Sequence, residues 1–232
     1  PVPGLENGCM HDVPGLVRQL GLRLAEGLAA PSAWSLSAIL ERAIQQVCDA
    51  HADTCDLEDP NSPSSTVALL RLCGDRIDYL ALADSSVVLH MADGGVLLIT
   101  NDRLDHLEDY SVAGIGAVRN TLDAFWVAST KPEAARHAVA GSVSLAAQPV
   151  QAAAVLTDGA ATLVERHGQT WEHLFSILDA GPHELVRRTR EADENATGKF
   201  RGKKHDDATA VLCQFVDSSV GQVSAARPTQ RG

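Results

Sequence analysis

Aromatic side chains are scarce in this sequence, at 4% of 232 residues. The core must therefore be built from Ala, Val, Leu and Ile packed at close range rather than from large anchors. Basic charge is scarce too. Lys and Arg number 19 against 30 Asp and Glu, a formal charge of −11. That excludes a general nucleic-acid binder, because neutralising phosphates requires a basic surface. Long apolar runs are missing: no stretch reaches the ~18 residues that cross a bilayer, so no membrane partner is expected. No signal-peptide pattern opens the chain. No CxxC pair occurs among the five cysteines, Cys9, Cys48, Cys55, Cys73 and Cys213. Their odd number and irregular spacing read as reduced thiols in a cytoplasmic protein. There is no internal repeat.

What is present is ordinary for a soluble globular protein, with 45% hydrophobic and 21% charged residues. The length suits a single domain over residues 1–216, followed by a patternless, disordered tail over 217–232. Asp12 and Pro14 open a first helix, with Val13, Leu16, Val17, Leu20, Leu24 and Leu28 at helical spacing. Leu36, Ile39, Leu40, Ala43, Ile44, Val47 and Cys48 mark a second, capped by Ser35. A polar loop follows over 49–65. Strands are expected at 66–72, 77–83, 86–91 and 96–100, separated by the turns CGDR and ADGG, which point to an antiparallel meander. Residues 101–123 carry no clear pattern. AFWVAS (124–129) reads as a strand, Pro132 opens a short helix reaching Ala140, and 151–157 is a strand. Helices are expected over 171–178 and 182–193, and a last strand over 208–216. Two antiparallel sheets packed together with helices outside bury all of this in one core.

Two stretches carry chemistry. AVLTDGAAT (154–162) runs an apolar strand into Asp158-Gly159, and KHDDATAVLCQF (204–215) sets Asp206 and Asp207 at the mouth of another. Carboxylates meeting at strand ends make a hard oxygen site suited to Mg²⁺ or Mn²⁺. Each Asp also has a bland reading, as a turn residue before Gly or as a turn cap.

Taken together and in order, the two stretches resemble the late motifs of the metal-dependent, PP2C-like (PPM) protein phosphatases, (S/T)DG and D(N/D)xT. Ser64-Ser65-Thr66-Val67-Ala68 resembles that family's strand start, and LALADSSVVL (80–89) its GDSR hairpin, with Ala83 for the usual Gly and Ser86 for Arg. The resemblance spans about residues 62–215. It implies an α+β fold, a four-layer αββα sandwich of two antiparallel sheets with helices on both outer faces. It implies a phosphohydrolase using a metal-activated water on a phosphoserine or phosphothreonine protein or a small phosphate ester. Carried over by position, Asp158 and Asp206 are the ligands of Mg²⁺ or Mn²⁺ and the catalytic pair. Gly159 and Asp207 lie beside the metal, Thr209 supports it, and Asp84 is a turn residue near the site.

The sequence departs from the family pattern at its start. No DG pair precedes the first helix, and the family's early acidic residue and phosphate-binding Arg have no counterpart. The missing ligand is expected from preceding chain or a separate N-terminal fragment, or it is absent in a divergent member. His11-Asp12 is a substitute candidate, although an N-cap Asp beside a surface His is the simpler reading. Lys203, Lys204 and His205, with Arg201, form a basic run before Asp206 that suits a phosphate, or is a solvated charge run. His51, Asp53, Cys55 and Asp56 include ligand types but match no zinc spacing, so a solvent-exposed loop is expected. Cys9 near His11 is a weak nucleophile candidate. Two other readings stay open: a different enzyme on the same scaffold, such as an amide hydrolase exposed by chain cleavage, and a catalytically inactive binding module.

Overall fold

The computed structural model describes residues 8–30, 34–196 and 205–215; Lys203, Lys204 and the expected tail fall outside them. Asp12 caps α1 (Val13–Ala29), accepting from the Gly15 N–H at 2.8 Å. Ser35 caps α2 (Leu36–His51) through the Ala38 N–H. The whole stripe foreseen on α2 is buried; on α1 Leu16, Leu20 and Leu24 are buried, Val13 and Leu28 half-buried, and Val17 points to solvent. The buried residues pack with Leu69 of β1 (Val67–Cys73) and Leu80 and Leu82 of β2 (Arg76–Leu82).

The strands form two antiparallel sheets. One is ordered β1-β2-β5, the other β4-β3-β6-β7, with β3 (Ser86–Met91), β4 (Val96–Ile99), β5 (Val139–Ser144), β6 (Val150–Leu156) and β7 (Ala210–Gln214). Ile77, Ala81, Val87, Leu89, Val143 and Ala153 fill the space between them. The outer face of the second sheet is covered by α4 (Asp158–Glu165), α5 (Trp171–Leu178) and α6 (Pro182–Asn195), through Leu163, Leu174, Leu178 and Leu185. The four layers run helices, sheet, sheet, helices, with small and branched side chains in the core, as the lack of aromatics required.

Four local expectations differ. The segment 124–129 is no strand: it makes a single bridge, Ser65 to Ala128. Phe125, Trp126, Val127 and Ala128 are all buried, so their apolar run reports burial and not a ladder. The Val127 N–H bonds the Asn120 side chain, and Asn120 takes a left-handed φ of 56° that Asn tolerates. The helix expected from Pro132 to Ala140 is a 3₁₀ segment, Pro132–His137, and gives way to β5. β5 was hidden because its residues are mostly exposed and small, so only pairing with β2 defines it. Asp158-Gly159 starts α4 rather than forming a turn. Within the unread stretch 101–123 lie a 3₁₀ segment, Asp102–His106, and α3 (Val112–Val118). Among the described residues no helix is long and apolar enough to cross a membrane.

Candidate active site

Sheet register brings the chemistry-bearing segments to one edge. Leu156 at the end of β6 pairs with Ser86 on one side and Ala210 on the other. Asp84, Asp158 and the Asp206–Thr209 segment therefore all leave the second sheet at the same end. The start of β1 joins them there, since Val67 pairs with Leu82 and the Thr66 hydroxyl meets Ser85 at 2.7 Å.

Thr157 stitches this edge. It occupies the N-cap of α4, yet its hydroxyl does not cap the helix. The Thr157 Oγ1–H donates to the Asp207 carbonyl at 3.2 Å, and the same oxygen accepts from the Thr209 N–H at 3.0 Å. The Thr157 N–H reaches the Thr209 carbonyl at 3.1 Å. The cap is thus diverted into joining the two carboxylate-bearing segments. Asp158 then sits in the first turn of α4, where the positive end of the helix dipole favours a carboxylate. Gly159 follows because nothing larger fits: a Cβ there would lie 2.5 Å from the Asp207 carbonyl oxygen and 3.0 Å from its carbon. Asp206 is half-buried, and its Oδ1 accepts from the Asp207 N–H at 2.9 Å.

Behind this edge lies a network the sequence did not reveal. Asp193 on α6 is buried, with a side chain 2% exposed. It meets His167 Nε2 at 2.9 Å, His205 Nδ1 at 3.6 Å and Arg190 at 3.9 Å. Arg190 in turn donates to the Asp206 carbonyl. His205 is thereby drawn to Asp193. Only the pattern of α6, a helix whose polar Thr189 and Asp193 fall on its buried stripe with Leu185, hints at this in sequence. Arg119, from the unread stretch, fixes the entrance to β1. It donates to Ser64 Oγ at 2.8 Å, to the Ser62 carbonyl at 3.1 Å and to the Pro60 carbonyl. Burial lowers its pKa, partly offset by the charge of Asp59.

Ala83 precedes Asp84 in the hairpin with a φ of 63°. That is the left-handed region glycine favours, and it explains why the resembling motif carries Gly there. Asp12 is the cap of α1, away from the carboxylate edge in role. His11 is not isolated: together with Cys9, His51 and Cys55 it forms a tight group. The expected solvent-exposed loop holds for Asp53 and Asp56, while His51 and Cys55 are half-buried in this group. Their partners lie more than 40 residues upstream and no local spacing reveals them.

A family model described as protein phosphatase 2C matches residues 16–189. The chain belongs to the protein phosphatase 2C family. The match includes Asp84 and Asp158 and ends before Asp193 and Asp206, so Asp206 stands on its place in the fold. Serine/threonine phosphatase Stp1 from Staphylococcus aureus superposes with a TM-score of 0.55 at 11% identity, over 86% of this chain and 77% of that one. The catalytic domain of the serine/threonine protein phosphatase PstP, solved with two manganese ions, gives 0.50 at 15% identity, over 87% and 81%. A bacterial serine phosphatase variant gives 0.52 at 11%, over 85% and 76%. At these identities the likeness establishes the αββα fold. No curated protein matches the chain by sequence. As a protein phosphatase 2C member the chain is a phosphatase of the metal-dependent type.

Proposed function

We propose that this phosphatase removes phosphate from phosphoserine or phosphothreonine in proteins, with Asp158 and Asp206 as the ligands of Mg²⁺ or Mn²⁺. The observation that carries the assignment is the seating of the Gly159 backbone on the Asp207 carbonyl. It locks the two Asp-bearing segments together at a spot where no side chain fits. The donors on offer there are oxygens, carboxylates with backbone carbonyls nearby, which fits a hard cation. Mg²⁺ in particular keeps several waters and needs only one or two carboxylates.

When bound, such a cation acidifies a water for attack on phosphorus and neutralises charge on the phosphoryl oxygens. The residues of the chain hold that arrangement still. Thr157 fixes the distance between the α4 entrance and the β7 entrance, Arg190 anchors the Asp206 peptide, and the Asp193 carboxylate, bonded to His167, faces Arg190. Lys203 and Lys204, adjacent in sequence to that edge, supply positive charge for an incoming phosphate in a chain that is otherwise acidic. A small phosphate ester is a simpler substrate for the same edge. The thiols of all five cysteines suit the reducing cytoplasm.

Hydrolysis of an aryl phosphate and of a phosphothreonine peptide with Mn²⁺ tests this. Asp158→Asn and Asp206→Asn are each expected to lower turnover by about 10³-fold, the several kcal/mol a catalytic cation supplies. Full activity in both variants would remove them from the site.

A further inference from the structure

A second cluster of ligand atoms lies at the open end of the α1–α2 hairpin. Cys9 and His11 stand just before α1, while His51 ends α2 and Cys55 follows in the next loop. Cys55 Sγ is 3.2 Å from Cys9 Sγ and 3.6 Å from His11 Nδ1. Cys9 Sγ is 3.6 Å from His11 Nδ1 and 3.9 Å from His51 Nδ1. All four donor atoms lie within 4.8 Å of one another. A tetrahedron with zinc–sulfur bonds of about 2.3 Å and zinc–nitrogen bonds of about 2.0 Å has edges of roughly 3.3–3.8 Å, close to these separations. We propose that Cys9, His11, His51 and Cys55 bind one zinc ion in a closed site that clamps the entrance of α1 to the exit of α2.

The backbone independently holds the two segments in place. The Gly8 carbonyl accepts from the Asp56 N–H at 2.7 Å, and a Cβ on Gly8 would meet Asp56 Cβ at 2.7 Å and Asp59 Cβ at 2.8 Å. The His11 and His51 rings lie 4.4 Å apart. Two thiolates and two imidazoles select a borderline-soft tetrahedral ion and are poor ligands for Mg²⁺ or Mn²⁺. With four protein ligands there is no open position, so this ion is structural. It is separate from the carboxylate edge in donors and in role. On binding, both thiols release their protons to solvent, and the loop leading through Ser62 to β1 gains a fixed origin.

The full chain, purified under reducing conditions without chelator, is assayed for zinc by mass spectrometry and titrated with Co²⁺. About one zinc per chain is expected, and Co²⁺ should give the intense visible bands of tetrahedral thiolate coordination, erased by added zinc. A strong chelator should lower the melting temperature by about 5 °C or more. Cys55→Ser should lose at least ~10-fold of the bound zinc, as expected when one of four ligands is removed. His51→Cys preserves four ligands, so it should keep the zinc and shift the cobalt bands, which reports on the site even if the serine variant does not fold. Asp158→Asn should keep its zinc while losing phosphatase turnover, which separates this site from the catalytic one. A zinc-free chain whose Co²⁺ titration lacks those bands overturns the proposal, as does a Cys9–Cys55 disulfide found in protein kept under reductant.

Discussion

The carboxylate edge of the second sheet and the thiol–imidazole cluster beside the first helical pair make an instructive contrast. Both are assembled from segments distant in sequence, and both lie where a chain segment enters or leaves a regular element. They differ in donor atoms and in completeness. The edge offers oxygens from two carboxylates and nearby carbonyls, on segments joined by hydrogen bonds through Thr157. The cluster offers two sulfurs and two nitrogens already facing one another. On the two proposals made above, the donors suit a hydrated, catalytic cation at one and a dehydrated, structural ion at the other.

The sharpest way to break this contrast is to damage one site and read both. Asp158→Asn should lower Mn²⁺-dependent turnover by about 10³-fold while leaving the zinc content intact, read by steady-state assay and metal analysis on one preparation. Next in size is Gly159→Ala. Its Cβ would press on the Asp207 carbonyl and displace the two Asp segments from each other. About 10²-fold loss of turnover is expected from such a misplacement, with about 1–3 kcal/mol of stability lost to overpacking. Denaturant melts compared with turnover will show whether geometry or folding suffers more.

A smaller effect is expected from Asp193→Ala, which removes the hydrogen bond to His167 and the buried charge facing His205 and Arg190. A loss of about 2–3 kcal/mol fits hydrogen bonds to a charged group, measurable by urea denaturation, with zinc content unchanged. The smallest concerns pH. His137 stacks on Trp126 with centroids 3.9 Å apart. Burial, then the Arg103 charge, lower its pKa, against the opposing charge of Glu133. The unfolded chain thus binds this proton more readily than the folded one. The stabilisation is complete above the ordinary histidine range, near 6.5, and is lost as pH falls. In His137→Phe that part of the acid-side decline should vanish, as seen in melting curves taken from pH 7.5 to 5.

How much of this the sequence disclosed depended on where the information sits. Both first helices were legible because a single face of each is apolar and each has a local cap, Asp12 and Ser35. β1 to β4 were legible because their turns lie beside them in sequence. β5 was not, because its exposed small residues acquire an identity only by pairing with β2. Asp158 and Asp206 stood out because each breaks an apolar run. Thr157 looked unremarkable, since its value is a hydroxyl turned towards a segment 50 residues away. Cys9-x-His11 and His51-x₃-Cys55 were each below any threshold as a motif, and only the antiparallel pairing of α1 with α2 makes them one group. Asp193 was read as a helix end, because a buried charge leaves no trace in a pattern of apolar residues.

β7 has a consequence of a different kind. It is five residues long and, among the described residues, lies at the margin of its sheet and pairs with β6 alone. Margins of sheets are where local opening costs least. Asp206 enters the molecule through this strand, so transient detachment of β7 would carry one of the two carboxylates away while leaving the rest folded. The amides of Ala210–Gln214 should then exchange with solvent sooner than those of β3 and β6, and Mn²⁺ should slow that exchange. Cation affinity would be set in part by how firmly the last strand closes.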